Sequence, residues 1–181
     1  MEQAEVQEAI VSPKLNIESK TLNISKEVRS EMEKYPIVEG DLKGFWQAQI
    51  NGNEVCVRFD NSNFNKGNMW MTTECFGINE FTNPPKNGEG TFTLSRAAGK
   101  ITLVGKIEDD YGQGRYTFTS SDDFESYLAK KGIRDIDEKY LFHLFTANIS
   151  SAYFDYMKQQ GMPDISKKQL KSLAIHRLDL P

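Results

Sequence analysis

The chain changes its hydrophobic period twice. Between Phe45 and Phe118 apolar and polar residues alternate: Phe92 and Leu94 fall between Thr91, Thr93 and Ser95, and Ile101 and Leu103 follow beyond a turn at Ala98 and Gly99. A period of two is that of a half-buried strand. It predicts strands at 45–50, 54–59, 69–76, 90–95, 100–107 and 115–119, separated by Asn-Gly, Asn-rich, Pro-Pro and Ala-Gly turns. Asn51 and Gly52 give the best short hairpin signal. The connections are local and no βαβ crossover is suggested, so the expected sheet is an antiparallel meander with one wet face.

After Thr119 the spacing becomes helical. Ser120 or Ser121 caps a helix whose first turn holds Asp122, Asp123 and Glu125, with Phe124, Tyr127 and Leu128 inward and Gly132 as its stop. Asp137 opens a second helix with Tyr140, Leu141, Leu144 and Phe145 inward. The pattern then repeats. The shift that carries Ser121 onto Ser150 also carries Gly132 onto Gly161, Asp135 onto Asp164, Ile136 onto Ile165, Lys139 onto Lys168, Leu141 onto Leu170 and Leu144 onto Leu173. The second copy has a cap at Ser150 or Ser151, a stripe of Tyr153, Tyr156 and Met157, and then a Ser166 cap before Leu170, Leu173 and Ala174. Helices this short are marginal alone, so the four are expected to pack on each other and on the sheet.

The fold class expected is therefore α+β, an antiparallel β-rich part followed by two tandem helix-pair repeats. The boundaries are a polar leader at 1–34, a β-rich domain at 35–119 and two helical hairpins at 120–181. Within the leader, Ser25 caps a short helix carrying Val28, Met32 and Tyr35 on one side and ending at Pro36.

Composition narrows the function. A net charge of −4 argues against a general binder of nucleic acid or anionic membrane. No run of 18 apolar residues exists, so no membrane-spanning helix is expected. The start, MEQAEVQEAIVSP, carries neither a basic nor an apolar leader pattern. Cys56 and Cys75 leave two readings open: a disulfide in an exported domain, or, more plainly, two half-buried small side chains.

The run Gly112-Gln113-Gly114-Arg115-Tyr116-Thr117-Phe118, followed by Phe124, Leu128, Gly132 and a Leu-x-x-Leu helix, resembles a bacterial extracytoplasmic module. That module accompanies some membrane metallopeptidases of the antirepressor, β-lactam-sensing type. The tail Leu173-Ala174-Ile175-His176 is similar to its repeat signature; the first copy departs, with Leu144-Phe145-Thr146-Ala147 at the equivalent place. The resemblance covers roughly residues 90–178. It implies a noncatalytic sensor or interaction module outside the cytoplasmic membrane, without the peptidase.

Little else in the chain nominates chemistry. A zinc protease needs two histidines one helical turn apart plus a glutamate; His143 and His176 are far apart in sequence and not repeat equivalents, so neither a metal site nor a catalytic pair is expected. Asp60, Asn61, Asn63 and Asn65 before Gly67 read as a polar hairpin loop, because the EF-hand places that call for glycine and glutamate hold Asn65 and Met71. Glu108, Asp109 and Asp110 read as a solvated connection, and Gly112 and Gly114 as a tight turn rather than a phosphate loop. Lys167, Lys168, Lys171, His176 and Arg177 on the last helix would suit a helix-turn-helix, but the first copy carries Asp135, Asp137 and Glu138 instead. No catalytic residue, metal or cofactor is expected.

The function expected is a non-enzymatic bacterial binding or sensor module that meets another protein, with Tyr153, Phe154 and Tyr156 as the candidate contact surface and an extracytoplasmic location. The alternative is a carrier of a small apolar ligand. Gly44-Phe45-Trp46 resembles the Gly-x-Trp of lipocalins, and Trp46, Phe59, Trp70 and Phe92 would line its cavity, although only six strands are readable where such a barrel wants eight.

Overall fold

The computed structural model describes residues 26–61 and 70–175. The expected positions of Asn63, Asn65, Gly67 and His176, and most of the leader, lie outside the described residues.

Seven antiparallel strands form one sheet: β1 (Leu42–Asn51), β2 (Glu54–Asp60), β3 (Met71–Gly77), β4 (Phe81–Thr82), β5 (Gly88–Arg96), β6 (Gly99–Glu108) and β7 (Tyr111–Ser120). Their order is β3-β2-β1-β7-β6-β5-β4, so the two edge strands are consecutive in sequence, joined only by a 3-10 turn at Ile78–Glu80. The sheet curls until these edges approach, with Phe76 of β3 and Phe81 of β4 meeting edge to face at 6.0 Å. The strand absent from the sequence reading is β4, too short to display a period of two.

Turn chemistry follows the residues available. Gly52, at φ 60°, opens the β1–β2 loop with left-handed backbone at its first position only. Asp109 and Asp110, at φ 47° and 68°, form the two-residue link between β6 and β7, left-handed at both positions as a type I′ turn requires. These acids are exposed and belong to a hairpin tip.

Gly112 and Gly114 make no turn; they lie inside β7, opposite Ile107 and Gly105 of β6. With Gly105 they form a flat platform under the Trp46 indole. A Cβ on Gly114 would stand 2.0 Å from the Val104 carbonyl oxygen, and one on Gly112 would stand 2.7 Å from the Trp46 ring. The glycines thus serve close approach rather than unusual dihedrals. Trp46 completes the arrangement by donating its Nε1 proton to the Val104 carbonyl at 3.3 Å.

One short helix, α1 (Lys26–Met32), covers part of the outer face of the sheet. Arg115 of β7 donates to the carbonyls of Met32 and Glu33 at its C-terminal end, and the Arg29 guanidinium lies over the Phe45 ring. The other four helices are α2 (Asp122–Lys130), α3 (Glu138–Thr146), α4 (Ser151–Gln159) and α5 (Lys167–Ile175). Ser121 and Asp137 cap α2 and α3 through their side chains, and Ser166 and Gln169 bond reciprocally at the start of α5. After α2 and α4 the chain reverses at Gly132 and Gly161, at φ 81° and 83°. The bonds Ile133 N–H to Leu128 C=O and Met162 N–H to Met157 C=O close both ends in the same way.

Helix α3 is the centre of the molecule. Tyr140, Leu141, Phe142, Leu144 and Phe145 are all buried, an apolar arc of about 200° at 100° per residue. That arc is wider than the stripe read from spacing, which omitted Phe142. The Phe142 ring enters the hollow of the sheet and meets Phe59, Trp70, Tyr116 and Phe118 at centroid distances of 5.2, 5.0, 6.3 and 5.4 Å. Strands and helices consequently share one core.

The far end of α3 is held by Arg96 at the end of β5. Its guanidinium bonds Glu80 twice, at 3.0 and 2.6 Å, and donates to the carbonyls of Phe145 and Thr146. It also lies over the Phe76 and Phe145 rings. One cation thus ties the link between the edge strands to the carbonyl end of the central helix, where positive charge is favoured.

Candidate functional site

The sequence-predicted residues do not gather into one site. Tyr153 and Phe154 are 3% and 7% exposed and Tyr156 is half-buried, so the expected docking surface is corrected: its first two members belong to the core. The reason is rotational. Along α4 the buried positions are Tyr153, Met157 and Phe154, because α2 stands on the far side and its Tyr127 ring meets Phe154 at 5.5 Å. The inward arc is therefore turned by about 60° from the Tyr153, Tyr156, Met157 stripe.

Trp46, Phe59 and Phe92 are buried, and Trp70 is half-buried. Trp46 meets Phe92 edge to face at 6.4 Å, whereas Phe59 and Trp70 both pack on Phe142. The four aromatics of the expected ligand chamber thus fall into two groups and are packed ring against ring, with α3 supplying the filling. Cys56 and Cys75 face each other across β2 and β3 and are joined as a disulfide rather than left as two separate small side chains.

A different site emerges where α3 and α5 pack side by side against the rim of the sheet. Here a cleft of about 800 Å³ is walled by Lys139 and His143 of α3, Lys167, Lys168 and Lys171 of α5, and Trp70 at the entry to β3. Asp137, Glu138, Tyr140, Leu42 and Asn61 complete the lining. Trp70 is fixed at the rim by Asn61, whose Oδ1 accepts the Trp70 N–H at 2.8 Å. The Lys139 ammonium lies 5.8 Å from the Trp70 ring centre and that of Lys167 lies 5.7 Å from the ring of Tyr140. Tyr140 donates its hydroxyl proton to the Lys167 carbonyl at 3.0 Å, pinning the start of α5 to α3.

The electrostatics of this cleft run against those of the chain. Four lysines stand there against two carboxylates in a protein of net charge −4, and one of those carboxylates, Asp137, is engaged in capping α3. Among the described residues, no carboxylate lies within ion-pair distance of Lys139, Lys167, Lys168 or Lys171. His143 is half-buried, and its pKa is lowered by burial and then by the nearby Lys139 and Lys171 ammonium groups. Burial also pushes the Tyr140 hydroxyl up to about 12.

Helix α5 makes the conflict explicit. Its first turn contains no acid and begins with two lysines, placing cations on the positive end of a helix dipole, whereas the first turn of α2 holds Asp122, Asp123 and Glu125. Each such lysine opposes the dipole by about 0.3–1 kcal/mol. Lys167 is compensated within the chain by the Asp135 carbonyl and the Tyr140 ring, whereas among the described residues Lys168 has no such partner, and its charge is the one left turned toward the cleft.

Sequence spacing had grouped Lys167, Lys168 and Lys171 on one helix. It had not set Lys139 and Trp70 opposite them, because that needs the packing of α3 on α5. The equivalence of Lys139 and Lys168 under the sequence shift was the one available signal. Among the described residues no three histidine, cysteine, aspartate or glutamate side chains cluster as metal ligands, and no helix is long and apolar enough to cross a membrane. No protein-family model, curated protein or solved structure matches the chain.

Proposed function

We propose that this chain is a non-enzymatic binding module that meets another protein at the lysine-lined cleft, in an extracytoplasmic setting. The observation that carries the reading is the concentration of Lys139, Lys167, Lys168 and Lys171 around one concavity of an acidic chain. Positive charge held at a cost to helix stability favours a complementary, negatively charged surface. The Cys56–Cys75 bond supports an oxidising compartment. The resemblance to the module found beside antirepressor-type metallopeptidases points the same way.

The last four helices are read as a duplicated hairpin, α2 with α3 and α4 with α5. Support comes from their bounds, which keep the offset of Ser121 to Ser150, and from the near-identical φ of Gly132 and Gly161. Duplication would place equivalent lysines, Lys139 and Lys168, on the two helices that wall the cleft.

The test is retention of a partner from a native membrane fraction by immobilised protein, comparing the unaltered chain with Lys139→Glu/Lys168→Glu/Lys171→Glu. A partner kept by the first and lost by the second is expected. Equal retention by both would remove the cleft from the reading.

A further inference from the structure

We propose that the occupant of the cleft is a short acidic segment of the partner, rich in aspartate or glutamate, bound with its carboxylates on Lys139, Lys168 and Lys171 and its backbone against Trp70. This rests on the binding-module reading above and names the chemistry recognised. The cleft, at about 800 Å³, has room for several residues rather than one small ion. Its cations come from two helices, Lys139 from α3 and Lys167, Lys168 and Lys171 from α5. That distribution suits a row of carboxylates. A nucleic acid would need positive charge extended along its backbone, and the chain as a whole carries a net charge of −4. Trp70 is half-buried on the wall, with Phe142 packed on its ring and the Lys139 ammonium over it, and leaves an aromatic edge for a peptide segment to lie beside.

His143 adds a second, coupled property. It stands at the cleft between Lys139 and Lys171, and the charges that bear on it are those two ammonium groups, which hold its proton off, and Glu74 and Asp137, which favour it. Carboxylates placed on the two lysines shift this balance toward the imidazolium.

Titration of the folded chain with a hexaglutamate peptide, followed by tryptophan emission, tests the proposal directly. Trp70 reports the cleft, while Trp46 is 1% exposed under the sheet and stays constant. Saturable binding is expected, weakened by salt and absent for an uncharged peptide of the same length. Each of Lys139→Gln, Lys168→Gln and Lys171→Gln should weaken it about two- to five-fold, and the triple variant about ten- to a hundred-fold. All three are surface lysines, so a urea midpoint that is not lowered confirms that the fold is intact. If inorganic phosphate alone competes as strongly as the peptide, the cleft is a simple anion site and the proposal falls. If hexaglutamate does not bind but the charge-reversed variant still loses the native partner, the acidic-segment proposal fails and the module reading stands. If neither changes, both fail.

Discussion

Replacing Phe142 by alanine tests the structural claim on which the cleft depends, that α3 is the filling of a curled sheet. Phe142 is fully buried and its ring meets four others, Phe59 on β2, Trp70 at the entry to β3, and Tyr116 and Phe118 on β7. A phenylalanine-to-alanine change in a core costs about 3–5 kcal/mol, and aromatic pairs add about 0.5–1.5 kcal/mol beyond their buried area. With four partners losing contact and the rigid strands unable to close the gap, the loss belongs near the upper end, about 4–5 kcal/mol. A domain of this size has a total of about 5–15 kcal/mol to lose from. Urea unfolding followed by far-UV circular dichroism should show a midpoint lower by about 2 M, taking a slope of about 2 kcal/mol/M. Phe142→Leu, which keeps most of the volume, should cost about 1–2 kcal/mol. A loss below about 1 kcal/mol for the alanine variant would mean that the sheet closes on itself without the helix, and the account of the core given above would be wrong.

Three further expectations bear on other parts of the fold. Arg96→Met should destabilise by about 2–3 kcal/mol, because Glu80 and the Phe145 and Thr146 carbonyls lose charge-assisted bonds together; combining it with Glu80→Gln in a double-mutant cycle should give clearly less than the sum. Gly114→Ala should cost about 3 kcal/mol or more, since its Cβ would collide with backbone at 2.0 Å, whereas Gly161→Ala meets no atom and pays only for its φ of 83°, about 1–2 kcal/mol; thermal melts of the two variants distinguish steric from dihedral demand. Reducing Cys56–Cys75, or replacing both residues by serine, should lower stability by about 3 kcal/mol with the fold retained, and thiol titration of the unreduced protein should find no free cysteine.

Much of the architecture was legible because local chemistry and tertiary fold agree. The strand periods, the Ser121 and Asp137 caps and the two glycine stops all stand where spacing placed them, since each depends on neighbours within a few residues. What was not legible depends on distant partners. Phe142 was passed over because a helix apolar on most of its circumference has no single stripe to read; the run Tyr140-Leu141-Phe142 with Leu144-Phe145 was the sign of a central helix. Gly112 and Gly114 looked like a turn until Trp46, from another strand, was seen to need flat backbone beneath it. Tyr153 falls on the inward stripe that spacing predicts, but Phe154 lies off it, because the contribution of α2 to its burial cannot be inferred from α4 alone. The cleft was hidden for the same reason, being made by two helices and a strand end that are far apart in sequence.

The position of α3 in the chain also bears on how the molecule comes into being. All seven strands precede it, so during synthesis the curled sheet emerges with its greasy hollow empty and open to water until the segment carrying Phe142 and Phe145 has left the ribosome. An apolar trough left open at that stage is a surface prone to association with other chains. A fragment ending at Ser120 is accordingly expected to collect as aggregate, even though every strand of the sheet is present in it.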